Sequence, residues 1–131
     1  MNWSNIQHFK PAEFICHCGR CNGSTPAGVA DLMDQEFIKA LDELRHRLGF
    51  PIGINSGYRC QDHNAAVSST GRDGPHTTAK AADLNLNRGQ AFQVVKHVED
   101  LGFTGLGVQQ KGNGRFIHLD TSHDTFALWS Y

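Results

Sequence analysis

In the stretch HTTAKAADLNLN, residues 76–87, apolar and polar side chains alternate from Ala82 onward. Ala82, Leu84 and Leu86 fall on one face of an extended chain, and Asp83, Asn85 and Asn87 on the other. Such a segment is a half-buried strand, which has to lay its apolar face on a core and find neighbours in a sheet. Asp83 stands where this strand starts. His76 lies seven residues upstream, in a loop rich in Gly, Ser and Pro. A loop histidine and a strand-start aspartate can converge on one point, but a site needs a third partner from elsewhere in the chain.

A second alternating segment, RFIHLD, supplies that partner. The period of two places Phe116, His118 and Asp120 on one face and turns Ile117 and Leu119 toward the core. His118 is then the natural companion of His76 and Asp83. Two imidazoles and one carboxylate form a borderline-hard donor set with an open fourth position, and Zn²⁺ is its common occupant. Asp120 lies about 7 Å along the strand from His118, within reach of a ligand or of a water beside it. Spacing alone also permits a plainer reading, with His76 and His118 as unrelated surface histidines and Asp83 as a loop cap.

The rest of the chain packs around these strands. Val29, Leu32, Met33, Phe37, Ala40, Leu41, Leu44 and Leu48 recur at helical spacing between Pro26 and Gly49, which predicts one long core-facing helix. FPIGINSGYR reads as a short strand. Residues 61–75 read as a long connection with at most one helical turn, a common place for function. RGQAFQVVKHVEDLGF predicts a second helix with Phe92, Val95, Val98 and Leu101 in its stripe. TGLGVQQ and RFIHLDTS are strands joined by the turn signal KGNG. The 131 residues suit a single α+β domain, 1–131, whose first 25 residues are irregular.

Three of four cysteines cluster in that irregular part, Cys16, Cys18 and Cys21, and the fourth is Cys60. C-x-C-x-x-C is a partial zinc pattern that Cys60 could complete as a second, structural ion site. A disulfide from the N-terminal loop to Cys60, or unlinked thiols, fit the sequence equally. Net charge is −1 with signs interspersed, which argues against nucleic acid. No apolar run is long enough to insert in a membrane. MNWSNIQHFKPAEF lacks the apolar core of a signal peptide, so synthesis in the cytoplasm is expected. A monomer is expected.

The motifs INSGYRCQDHNAAV, HTTAKAADLNL, GLGV and RFIHLDTS resemble, in order and spacing, the zinc D-Ala-D-Ala carboxypeptidase family. The resemblance runs from about residue 9 to the C-terminus and is nearest the small single-domain members common in bacteriophages and prophages. It implies the Hedgehog/DD-peptidase fold, with helices on a small antiparallel sheet. It implies a zinc metallopeptidase, of the phage endolysin kind, cleaving peptidoglycan stem or cross-link peptides that contain D-amino acids and acting on the cell wall after release or delivery. The family's H-x6-D and H-x-D ligands map onto His76, Asp83 and His118. The Arg of its S-G-Y-R motif maps onto Arg59, which would meet substrate beside Ser56 and Tyr58.

The sequence departs from that family in three places. Gly74 and Ala79 stand where many relatives have Ser and Gly. Arg115 stands where several branches place a Glu or His general base, and a guanidinium that stays protonated cannot take that role. Asp120 is therefore the carboxylate expected to serve as base. The alternative is a zinc-binding, wall-binding module on the same fold without turnover, a use that vertebrate Hedgehog signalling domains exemplify.

Overall fold

Residues 2–131 are described by a computed structural model, in which both alternating segments become strands of one sheet. The strands are β1 (Gly53–Ser56), β2 (Ala81–Asn85), β3 (Gly105–Gln109), β4 (Phe116–Asp120) and β5 (Ala127–Ser130). The helices are α1 (Pro26–Leu32), α2 (Gln35–Leu48), α3 (Gln61–Val67) and α4 (Arg88–Val95), so the fold is α+β. Strand order is β1-β2-β4-β3-β5. All neighbours pair antiparallel except β3 and β5, which are parallel. The sheet is thus mixed where a wholly antiparallel one was expected. The difference lies entirely in β5, a short C-terminal strand whose sequence TFALWSY announces no clear alternation.

The expected long helix is broken at Met33 and Asp34, both of which take extended backbone angles. The Asp34 carboxylate accepts from Phe37 N–H and caps α2, which needs a non-helical residue at that position. Thr25 caps α1 in the same way through Gly28 N–H. The connection after β1 holds more helix than expected, because Cys60 Sγ accepts from His63 N–H and starts α3.

The stripe read into the second helix is corrected. Phe92 and Val95 are exposed, while Ala91 and Val94 face the core. Steps of three residues drift by about 60° each around a helix, so a run at 92, 95, 98 and 101 cannot stay on one face. The α-helix ends at Val95, and residues 96–101 continue as turns.

The core lies between α1, α2 and one face of the sheet. Phe37, Leu41 and Leu44 of α2 are fully buried, with Leu84, Ile117 and Leu119 from the strands. Burial of each such side chain contributes about 1.5–3 kcal/mol. The opposite face carries polar groups in register. Asp83 pairs with Ser56 on one side and His118 on the other, His118 with Gly107, and Gly107 with Trp129. One row of residues therefore crosses all five strands, and the chemistry sits in it.

Candidate metal centre

Asp83 and His118 are directly opposite each other on β2 and β4, so their side chains project from the same face as neighbours. His76 comes from a 3-10 turn, Pro75–Thr78, that closes over this face just before β2. The turn is set by Ala79 at φ +62°, a left-handed angle that costs a non-glycine residue about 1–3 kcal/mol. Glycine takes this angle without that cost, in keeping with the glycine that the family resemblance implies at this position. The Ala79 carbonyl accepts from Asp34 N–H at the start of α2, which ties the bend to that helix.

His76 Nε2 and His118 Nδ1 lie 3.3 and 3.0 Å from the same oxygen, Asp83 Oδ1. The far nitrogen of each ring is committed. His76 Nδ1 is 2.7 Å from the Gly57 carbonyl, which can only accept, so Nδ1 carries the proton. His118 Nε2 is 2.7 Å from Asp120 Oδ2 and donates to that carboxylate. The near nitrogens are then left as lone pairs facing a carboxylate oxygen. Three acceptors aimed at one point repel one another unless a cation lies between them, and this donor set fits a divalent metal. All three residues are buried.

Asp83 uses its two oxygens differently. Oδ1 faces the histidines, while Oδ2 pairs with Arg59 Nη2 at 3.5 Å. Burial by itself raises the Asp83 pKa, but His118 and His76, when their near nitrogens carry protons in the place a cation would take, outweigh it and hold the carboxyl well below the usual range. Arg59 is fixed at its other nitrogens, Nε to Ser56 Oγ at 3.0 Å and Nη1 to Asn64 Oδ1 at 3.1 Å. That uses three of five N–H donors and leaves one on each terminal nitrogen for the pocket it lines.

Asp120 is placed differently from the expectation. It is wholly buried behind the His118 ring, on the edge away from Asp83. It also accepts from Ser122 N–H, Ser122 Oγ and His123 Nδ1, the last at 2.7 Å. With its oxygens so engaged it orients His118 and His123 and has no lone pair for the open side. Burial favours its neutral form, yet the hydrogen bonds from the two histidines lower its pKa to about 2.

A carboxyl whose folded pKa lies below its unfolded value stabilises the fold above the unfolded value and ceases to do so as pH falls through the folded one. Metal-free protein is therefore expected to lose about 2 kcal/mol from Asp120 alone between roughly pH 5 and 2. Urea titrations across that range should show a shallower decline in Asp120→Asn. Equal slopes in the two proteins would sink the assignment.

Close approach of strand β3 makes this buried arrangement feasible. A Cβ on Gly105, which pairs with Asp120, would collide with the Asp120 carboxylate, whereas one on Gly89 meets open space. Gly105→Ala is expected to cost about 1–3 kcal/mol of stability, with Gly89→Ala near neutral, both read by denaturant unfolding. A neutral Gly105→Ala would contradict the packing described.

Two expected substrate contacts are also corrected. Ser56 is buried and spent on Arg59. The Tyr58 ring lies on Gly23 of the N-terminal loop and is not part of the pocket wall. Arg115 donates to the Gly112 carbonyl in the hairpin turn and stays outside the pocket. Three residues that sequence reasoning missed stand at the centre instead. Asn64, fully buried on α3, holds Arg59. His123 and Trp129 line a cavity of about 730 Å³ together with His76, Asp83 and His118. His123 had one available signal, its spacing in H-x-D-x-x-H; α3 and β5 had none.

The four cysteines do come together. Their Sγ atoms all lie within 4.8 Å of one another, and all four are free thiols. Backbone N–H groups of Arg20 and Cys21 lower the Cys18 pKa to about 6, while burial pushes Cys21 up to about 12.

An α+β protein with two histidines and an aspartate at a pocket floor is of the class built to hold one divalent metal in reach of a ligand. The chain belongs to the Peptidase M15 family, whose model matches residues 7–120. That membership carries hydrolase and metallopeptidase character. No curated protein matches the chain. Among the described residues no helix is long and apolar enough to cross a membrane.

Proposed function

We propose that this chain is a zinc peptidase that cleaves peptidoglycan stem or cross-link peptides containing D-amino acids. The observation that carries the reading is the convergence of His76 Nε2, Asp83 Oδ1 and His118 Nδ1 at the floor of an open pocket, in a chain of the M15 family. These three atoms would hold the ion. When bound, zinc supplies Lewis acidity, polarising a carbonyl and acidifying a water.

The chain's own groups divide the remaining work. Arg59 lines the pocket with two N–H bonds uncommitted, a planar fork matched to a substrate carboxylate or to a carbonyl oxygen gaining charge. His123 donates from Nδ1 to Asp120, which leaves Nε2 as a proton acceptor on the pocket wall. Asp120 holds both imidazoles in place. Trp129, its ring centre 5.1 Å from that of His118 and 5.5 Å from that of His123, closes one side against water. The substrate's source is the cell wall, reached after release or delivery, as an endolysin would reach it.

Purified protein incubated with intact sacculi, and with synthetic stem peptides, tests this by product mass. Each cut should add one water and reveal one new amine. A chelator should stop it, and added zinc should restore it. Zinc-loaded protein that binds sacculi yet releases nothing from any stem or cross-link peptide would establish the non-catalytic alternative.

A further inference from the structure

We propose that Cys16, Cys18, Cys21 and Cys60 form a second zinc site, a closed tetrathiolate that locks the N-terminal segment onto the strand-to-helix segment carrying Arg59. The proposal stands on thiol geometry and does not depend on the pocket being catalytic.

Four sulfurs from two distant parts of the chain converge with every pair of Sγ atoms within 4.8 Å. A tetrahedron with Zn–S bonds of about 2.3 Å has edges of about 3.8 Å. Cys18 Sγ and Cys60 Sγ are 3.8 Å apart. A closed set of four thiolates with no open position is the structural kind of zinc site.

The backbone is arranged to receive charge on sulfur. Arg20 and Cys21 N–H both point at Cys18 Sγ at 3.3 Å, Cys60 N–H at Cys16 Sγ at 3.4 Å, and His63 N–H at Cys60 Sγ at 3.4 Å. Gly19, in the loop from Cys18 to Cys21, takes φ +71°, which lets the chain fold back and aim two N–H groups at one sulfur. Thiolates bound to a divalent ion leave a net negative cluster, and N–H···S bonds of this kind disperse it. As the Zn–S bonds form, the S–H bonds break and their protons pass to solvent.

The location gives the site a purpose. Tyr58 N–H donates to the Phe14 carbonyl at 2.9 Å, and Gly57 packs so close to Phe14 that a Cβ would stand 2.6 Å from its Cα. The stretch pinned there, Gly57 to Cys60, supplies the carbonyl that holds His76 and the guanidinium that holds Asp83. The N-terminal segment itself has only short 3-10 turns, at Pro11–Phe14 and Asn22–Ser24. A metal tie is how such a segment gains a fixed position.

Metal analysis of protein purified under reducing conditions tests the assignment. Wild type should carry about two zinc equivalents per chain, and a His76→Ala/His118→Ala variant about one. Cobalt substituted into that variant should show the thiolate-to-cobalt charge-transfer band and intense red d–d bands of a tetrahedral thiolate site. An organomercurial that titrates the thiols should release the ion in step. A variant that holds no metal, holds iron, or shows the mass deficit of disulfides would overturn the proposal. Failure of peptide hydrolysis would leave these readouts unchanged, so the two proposals fail separately.

Discussion

Asp83→Asn is expected to empty the His76–Asp83–His118 cluster of zinc and to abolish peptide hydrolysis while the fold persists. The substitution keeps the shape of the side chain and removes its charge. In the native arrangement that charge is shared between two imidazoles on one oxygen and Arg59 on the other. An amide can present only one oxygen as acceptor, and its NH₂ group cannot face Arg59 without placing donor against donor. Either orientation loses a contact. Removing one partner of a buried ion pair typically costs about 3–5 kcal/mol, and the partial exposure of this pair puts the expected loss toward the lower end. Metal affinity should fall by more than the ~10–100-fold typical of a residue that merely orients a ligand. Chelator competition and metal content, read beside a far-ultraviolet spectrum, check the result. Zinc affinity equal to wild type would remove Asp83 from the ligand set. Thiol-bound zinc at the cysteine cluster should be unaffected, so total content should drop by one equivalent only.

The shared face of Asp83 and His118, two of the three proposed ligands, was legible in the sequence because strand alternation is strict and local. Once Asp83 and His118 lie on alternating segments with known core faces, their projection from one face follows from the pleat. His76 could be placed with them by spacing only as one of two readings, and the H-x6-D resemblance strengthened that reading, since a loop side chain has no periodicity to betray its direction. The role given to Asp120 failed for a reason that one strand cannot reveal. Two residues along β4 it shares the face of His118, but Gly105 on the neighbouring strand leaves a hollow, and the carboxylate sinks into it. Cross-strand partners decide that depth, and they are distant in sequence. The break at Asp34 was written locally, as an aspartate with Phe37 three residues on, yet the apolar stripe ran straight through it. Strand β5, and with it Trp129, was hidden because its parallel pairing with β3 is a product of topology. The cysteines were readable as a group, since C-x-C-x-x-C invites a fourth ligand and Cys60 was the only thiol left to supply it.

His123→Ala is expected to leave zinc content at the wild-type level and to slow peptide cleavage by the ~10²–10⁴-fold typical of a lost general base. Arg115, at the position where the family resemblance implies a Glu or His base, donates instead to the Gly112 carbonyl. Asp120 is buried, accepts four hydrogen bonds and has its pKa lowered to about 2, so it binds a proton too weakly and too far inside to collect one from the pocket. It can transmit its charge through an imidazole. The carboxylate accepts from His123 Nδ1, which fixes the tautomer and leaves the basic lone pair on Nε2. The pocket wall therefore carries a histidine backed by an aspartate, an arrangement that holds the imidazole in one tautomer and one orientation. His123 touches none of the three proposed metal ligands in the hydrogen-bond network, so its removal should separate proton transfer from metal binding. The loss should fall on kcat with KM little changed, because the ring contributes to the transition state and not to holding the peptide. His123→Ala with wild-type kcat and full zinc would return the search to another group in the pocket. A variant that loses zinc as well would make His123 a support for the metal through Asp120 and His118, with no separate part in moving the proton.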